Sequence, residues 1–133
     1  MYLLPCRPRR STANRRDAGL RSPSRRHEAA LRRYDVLLVN SIADVMNLVA
    51  REGPIANERY GALVISAQAG AADVLGDAAL MVNPFDVSET AAAIARALSM
   101  AGDERRERAQ SLRELASAHS PRAWLEAQLA AFG

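Results

Sequence analysis

A chain of 133 residues, 49% apolar but only 5% aromatic and 25% charged, has the size and balance of a single soluble globular domain with an aliphatic core. Its one cysteine, Cys6, excludes an internal disulfide and a cysteine-rich metal site, and His27 and His119 stand too far apart for ligand spacing. No apolar run approaches the roughly 18 residues of a membrane span and no apolar signal core opens the chain, so the expected setting is the cytoplasm, with no membrane, metal or cofactor.

The net charge of +3 conceals a division. Residues 1–33 carry ten Arg against Asp17 and Glu28, whereas residues 34–133 carry eight Arg against thirteen acids. The N-terminal stretch is rich in Arg, Ser and Pro and has no apolar period, so it is expected to be a disordered tail, apart from a helical extension over 28–33. Three readings fit it: a solvated tail or residues from a wrong start or shifted frame, an Arg arm that neutralises nucleic-acid phosphates, and an Arg-rich transit peptide. A nucleic-acid partner is the weaker reading, because only Tyr2 is at hand for stacking, and the transit peptide lacks an apolar face.

From Tyr34 the pattern changes. Residues 34–40 form a short apolar run ending in Asn40, as a buried parallel strand reads. A helix is expected over 44–57, a β-branched strand over 61–66, a short helix over 69–75 stopped by Gly76, and a third strand over 79–83 ended by Pro84. Asp86 with Glu89 three residues on has capping-box spacing for a further helix with apolar positions Ala91, Ile94, Ala95 and Leu98. A charged helix over 104–118 places Leu112 and Leu115 on one stripe. Ser120-Pro121 opens a last helix over 122–132, where Trp124, Leu125 and Leu129 form an apolar face. Strands alternating with helices predict an α/β fold, a partial Rossmann-like parallel sheet that begins in mid-fold.

The chemistry gathers between Asn40 and Glu52. Ligands of parallel α/β sheets sit at the carboxyl ends of strands, and the helix that follows offers unpaired N–H groups and a partial positive charge, a place for a diphosphate. Asp44 at the mouth can accept hydrogen bonds from sugar hydroxyls, or serve only as a helix N-cap. Glu52, eight residues on, would return to nearly the same helix face about 12 Å further along. There it can hold two ribose hydroxyls, or stand as a solvated helix residue. Ser41, Ser66 and Asp86 read as turn and cap residues, and Asn47 and Arg51 as surface positions.

The two acids with seven residues between them resemble the acid-x7-acid element of retaining GT-B glycosyltransferases. Asp44-Val45-Met46-Asn47-Leu48-Val49-Ala50-Arg51-Glu52 is similar to the Asp-Gly-Met-Asn-Leu-Val-Ala-Lys-Glu signature of the trehalose-6-phosphate synthase family. Gly53-Pro54, Asn57-Glu58-Arg59, Leu63-Val64-Ile65-Ser66, Ala69-Gly70-Ala71, Leu75-Gly76 and Val82-Asn83-Pro84-Phe85-Asp86 extend the likeness in order, over about residues 34–132.

That resemblance implies the C-terminal part of a GT-B donor domain, a Rossmann-like fragment over 34–133. It implies a nucleotide-sugar partner, usually UDP-glucose, and transfer of glucose with retention to glucose 6-phosphate, without a metal. Asp44 would contact the donor glucose, the backbone amides of Met46, Asn47 and Leu48 the diphosphate, and Glu52 the ribose. Two departures matter. Val45 stands where the family has Gly, a strained substitution if that Gly takes positive φ. The family's acceptor domain and the first half of its donor domain precede the matched region, and with them the phosphate-gripping Arg and Lys and the glucose-6-phosphate site. No catalytic residue is identifiable here, and the chain alone is expected not to transfer glucose. Partners would be the complementary N-terminal half or a second copy. The alternatives are a non-catalytic nucleotide-sugar-binding module, an Arg-tailed nucleic-acid-binding protein and, within the same family, a pseudo-glycosyltransferase acting on a cyclitol.

Overall fold

A computed structural model describes residues 2–4, 23–44, 47–118 and 129–130. Three parallel strands form the centre: β2 (Val36–Val39), β3 (Ala62–Ser66) and β4 (Leu80–Val82), with β1 (Tyr2–Leu4) antiparallel on the outer edge of β2 in the order β1-β2-β3-β4. Val36 lies opposite Ala62, and Val64 opposite Leu80. Every residue of β2 and β3 is buried, as expected of parallel strands covered on both faces.

Alternation along the strands divides the core in two. Leu37, Val39, Leu63 and Ile65 face one side, where they meet Ala50 of α2 (Leu48–Ala56), Ala72 and Leu75 of α3 (Ala72–Leu75), and Leu112 and Ala116 of α5 (Gly102–Ala118). Val36, Leu38, Ala62 and Val64 face the other, where Ala93, Ile94 and Ala97 of α4 (Val87–Ser99) cover them. The buried positions of α5 are Ala109, Leu112 and Ala116, one stripe at helical spacing, with Leu115 half-buried beside it.

Asp86 caps α4 by accepting from Glu89 N at 2.9 Å, as the spacing predicts. The Glu89 carboxylate accepts from Asn83 N at 3.1 Å, three residues before the cap, so only half of the capping box forms as expected. The short helix expected over 69–75 contracts to the single turn of α3, and α5 begins two residues earlier than expected. Of the last expected helix only residues 129–130 are described, and Leu129 is exposed. Trp124 and Leu125 lie outside the described residues.

The expected tail departs most from the structure. Within 1–33 the chain forms β1 and a helix, α1 (Pro23–Arg33), five residues longer than the extension expected over 28–33. Few contacts hold α1, which is why apolar periodicity did not reveal it. Leu31 is buried, Asn57 donates to Leu31 O at 3.3 Å, and Glu58 N donates to Arg32 O at 3.0 Å. Arg32 pairs with Glu28 at 3.1 Å and Glu58 at 3.4 Å. Arg32 and Arg33 in the last turn also suit the negative end of the helix dipole.

Candidate functional site

Because β2, β3 and β4 run in one direction, their carboxyl ends share an edge, and the residues beyond them meet there. Asn40 Nδ2 donates to Pro84 O at 3.4 Å, joining the segments after β2 and β4. At the end of β3, Ser66 is fully buried and its Oγ accepts from Gln68 N at 3.0 Å, the turn role expected of it. Past β2 the main chain continues to Asp44, which forms an isolated parallel bridge with Ala69, and Gly70 N donates to Asp44 O at 2.7 Å. The pairing of the backbone therefore outlasts the strands and carries Asp44 to the rim.

The Asp44 side chain is half-buried among polar neighbours. Asn47 Nδ2 donates to its Oδ2 at 2.8 Å, and the Ser41 hydroxyl donates to the same oxygen at 3.5 Å. Asn47 Nδ2 also lies 3.3 Å from Ser41 Oγ, and Asn47 Oδ1 accepts from Ala50 N at 3.0 Å. Asn47, not Asp44, is therefore the N-cap of α2, and the helix begins at Leu48 rather than near Val45. Val45 and Met46 lie outside the described residues.

The later helix start changes the geometry expected between the two acids. Asp44 precedes the helix in extended pairing, so eight residues of helical rise do not separate it from Glu52. Glu52 is exposed in the second turn, on the same side as Leu48 four residues earlier. The amides of Leu48 and Val49 have no carbonyl acceptor within the helix, and the first turn carries no acidic side chain to compete with an incoming anion. Of the diphosphate-facing amides expected at Met46, Asn47 and Leu48, the last thus belongs to the first turn of α2, and Asn47 supplies the cap.

Sequence reasoning missed the side-chain part of Asn47 and the position of Ser41 against the acid. Asn is as good a cap residue as Asp, so residue type alone does not choose between Asp44 and Asn47. A groove of about 540 Å³ lies at the opposite end of α2, lined by Glu28, Arg32, Asn57, Tyr60 and Arg113 among others. Within it Arg32 pairs with Glu28 and Glu58, and Arg113 donates to the main-chain Asn57 O at 2.8 Å.

Among the described residues no group of three His, Cys, Asp or Glu side chains could hold a metal ion, and no helix is long and apolar enough to cross a membrane.

A family model for glycosyltransferase family 20 matches residues 21–132. The chain is 43% identical over 101 residues to the validamine 7-phosphate valienyltransferase of Streptomyces hygroscopicus subsp. jinggangensis, covering 76% of this chain and 20% of that protein. It is 44% identical over 95 residues to the trehalose-6-phosphate synthase of Cronobacter sakazakii, covering 70% of this chain and 20% of that protein. Among solved structures it is similar to trehalose-6-phosphate from E. coli bound with UDP-2-fluoro glucose, with TM-score 0.75 and 36% identity over 84% of this chain and 25% of the other. The alpha,alpha-trehalose-phosphate synthase (UDP-forming) of Burkholderia vietnamiensis gives TM-score 0.75 and 34% identity, covering 84% and 26%. The chain thus spans about a fifth of the length of these curated relatives and about a quarter of these solved chains. A shared GT-B fold, a family match over most of the residues and relatives above two-fifths identity agree: the chain belongs to glycosyltransferase family 20.

Proposed function

We propose that this chain is the donor-binding portion of a trehalose-6-phosphate-synthase-type hexosyltransferase. That enzyme would move glucose from a nucleotide sugar, most simply UDP-glucose, to glucose 6-phosphate in trehalose biosynthesis, in the cytoplasm. The observation that carries this reading is the half-buried Asp44 carboxylate beside the open first turn of α2, in a chain that shares its fold with a structure bound with UDP-2-fluoro glucose. In this reading Asp44 accepts hydrogen bonds from the glucose hydroxyls. The amides of Met46, Asn47 and Leu48 face the diphosphate, whose negative charge grows as the glycosidic bond breaks, and the helix dipole favours that charge. Glu52 holds the ribose hydroxyls, which an exposed carboxylate on the Leu48 side of α2 can reach without losing its own hydration beforehand.

Titration calorimetry on the full chain tests this. UDP and UDP-glucose are expected to bind, Glu52→Ala to weaken both about tenfold, and Asp44→Ala to weaken UDP-glucose more than UDP. A folded chain that takes up neither ligand would sink the reading. The acceptor site and further phosphate-binding side chains are assigned to a complementary N-terminal half, so the purified chain is expected to make no trehalose 6-phosphate from UDP-glucose and glucose 6-phosphate. Detecting product in protein free of host enzyme would overturn that.

The 43% identity to a valienyltransferase favours a second reading within the same family, in which the transferred group is a cyclitol. Competition between UDP-glucose and a nucleotide-linked cyclitol for the same site decides between the two. Preferential binding of the cyclitol would replace the glucose reading.

A further inference from the structure

The carboxamide of Asn47 acts in two directions. Its oxygen closes the first turn of α2 by accepting from Ala50 N at 3.0 Å, and Ala50 is fully buried in the core against the sheet. Its nitrogen donates to Asp44 Oδ2 at 2.8 Å and approaches Ser41 Oγ at 3.3 Å. Ser41 and Asp44 belong to the segment after β2, so one planar group spans two elements of different origin. An amide that is fixed at its oxygen by the helix has little freedom left at its nitrogen. The acid it holds is therefore set in register with the helix terminus rather than left to choose among rotamers. A bond from a neutral donor to a carboxylate is also among the stronger ones available to a half-buried site.

We infer that Asn47 is a positioning residue: through its side chain it registers the sugar-facing carboxylate of Asp44 against the diphosphate-facing amides of α2, so that the preference for a nucleotide sugar over the bare nucleotide depends on it. The inference rests on the donor-site reading of Asp44 given above. It assigns the Asn47 side chain no contact with the ligand; the effect passes through Asp44. A residue needed only to start the helix would weaken UDP, whose terminal phosphate carries the greater charge, at least as much as UDP-glucose, and so would not lower the ratio of the two. A residue that positions Asp44 affects the ratio of the two affinities.

The test compares that ratio in the full chain for wild type, Asn47→Ser, Asn47→Asp and Asp44→Ala. Ser and Asp both retain the capping oxygen, so α2 is expected to stay formed, as far-UV circular dichroism and thermal melting would verify. Neither can donate to Asp44 as the amide does. A serine hydroxyl is too short to serve both partners, and an aspartate has no donor and repels the acid. The added charge of Asn47→Asp opposes UDP, with its more highly charged terminal phosphate, more than UDP-glucose, so its ratio is expected to fall less than that of Asn47→Ser. The affinity ratio of UDP-glucose to UDP is expected to fall about tenfold in Asn47→Ser, the scale of one hydrogen bond to a charged group, and to match that of Asp44→Ala. The double variant Asp44→Ala/Asn47→Ser is expected to fall no further. A ratio held at the wild-type value in a folded Asn47→Ser chain overturns the inference and leaves the donor reading standing. A folded wild-type chain that binds neither ligand ends the donor reading and the inference with it.

Discussion

Asn57 uses all four of its side-chain hydrogen-bonding positions while almost fully buried. Nδ2 donates to Leu31 O at 3.3 Å and Tyr34 O at 2.9 Å, and Oδ1 accepts from Arg59 N at 2.9 Å and Gly61 N at 2.8 Å. Asn57→Ala would leave buried backbone groups on both sides unpaired, so it is expected to cost about 3 kcal/mol in urea denaturation, several times an ordinary surface change. The neighbouring Tyr34 presents the opposite case. Its hydroxyl is buried with no hydrogen-bond partner among the described residues, and burial raises its pKa above the ordinary 10.0, with Arg113 opposing weakly. Tyr34→Phe is therefore expected to leave stability unchanged or raise it by about 1 kcal/mol. Because the folded-state pKa lies above the unfolded one, the unfolded chain releases its proton first as pH rises. The contribution of Tyr34 to stability is complete below pH 10 and is lost progressively above it. Wild type should weaken more steeply than Tyr34→Phe between pH 10 and the limit of alkaline measurement, and parallel curves would contradict the assignment. Gly61 sits against the same ring: a Cβ there would strike Tyr34 Cε2 and come within 2.7 Å of Tyr34 O. Gly61→Ala is expected to destabilise by about 1–3 kcal/mol, since the backbone oxygen cannot turn aside.

At the level of elements, α4 is held at both ends by side chains from outside its body. Asp86 accepts from Glu89 N at its start, and Arg105 donates to Ala97 O at 2.6 Å at its end. The two anchored groups lie eight residues apart, about 12 Å along the helix. Asp86→Ala and Arg105→Met are each expected to cost about 1 kcal/mol and to add within about 0.5 kcal/mol, measured by thermal melting of the single and double variants. Strong non-additivity would mean that α4 frays as one unit. The same elements show what was legible in the sequence. Strands β2, β3 and β4 could be read because an unbroken apolar run bounded by Asn, Gly or Pro leaves few alternatives, and the cap of α4 because Asp86 has a Glu three residues on, the capping-box spacing that Asn83 lacks. The start of α2 could not be read, because Asp44 and Asn47 are both good caps three residues apart. The parallel bridge of Asp44 to Ala69, a contact made across the fold, and the bond from Ala50 N to Asn47 Oδ1 decide between them. The site was thus legible in its residue types but not in its internal bonding. For α1, the deciding partners Asn57 and Glu58 lie more than twenty residues downstream, beyond the reach of any local pattern.

Across the whole molecule, the strands of the sheet are joined by connections of very different length. Val64 pairs with Leu80, sixteen residues on; Val36 pairs with Ala62, twenty-six on; and Tyr2 pairs with Leu38, thirty-six on. Loop closure becomes dearer with length, by about 0.7 kcal/mol between the shortest and the longest of these. The single turn of α3 makes the β3–β4 pair the cheapest to close, and the outer strand the most expensive, for a ladder of the same three residues. In pulse-labelled hydrogen exchange, protection of the amides in β3 and β4 is therefore expected to precede protection in β2, with β1 last. Synthesis runs the other way. Strand β1 leaves the ribosome before the strands it joins, and it waits, unpaired, until a sheet more than thirty residues behind it has been made.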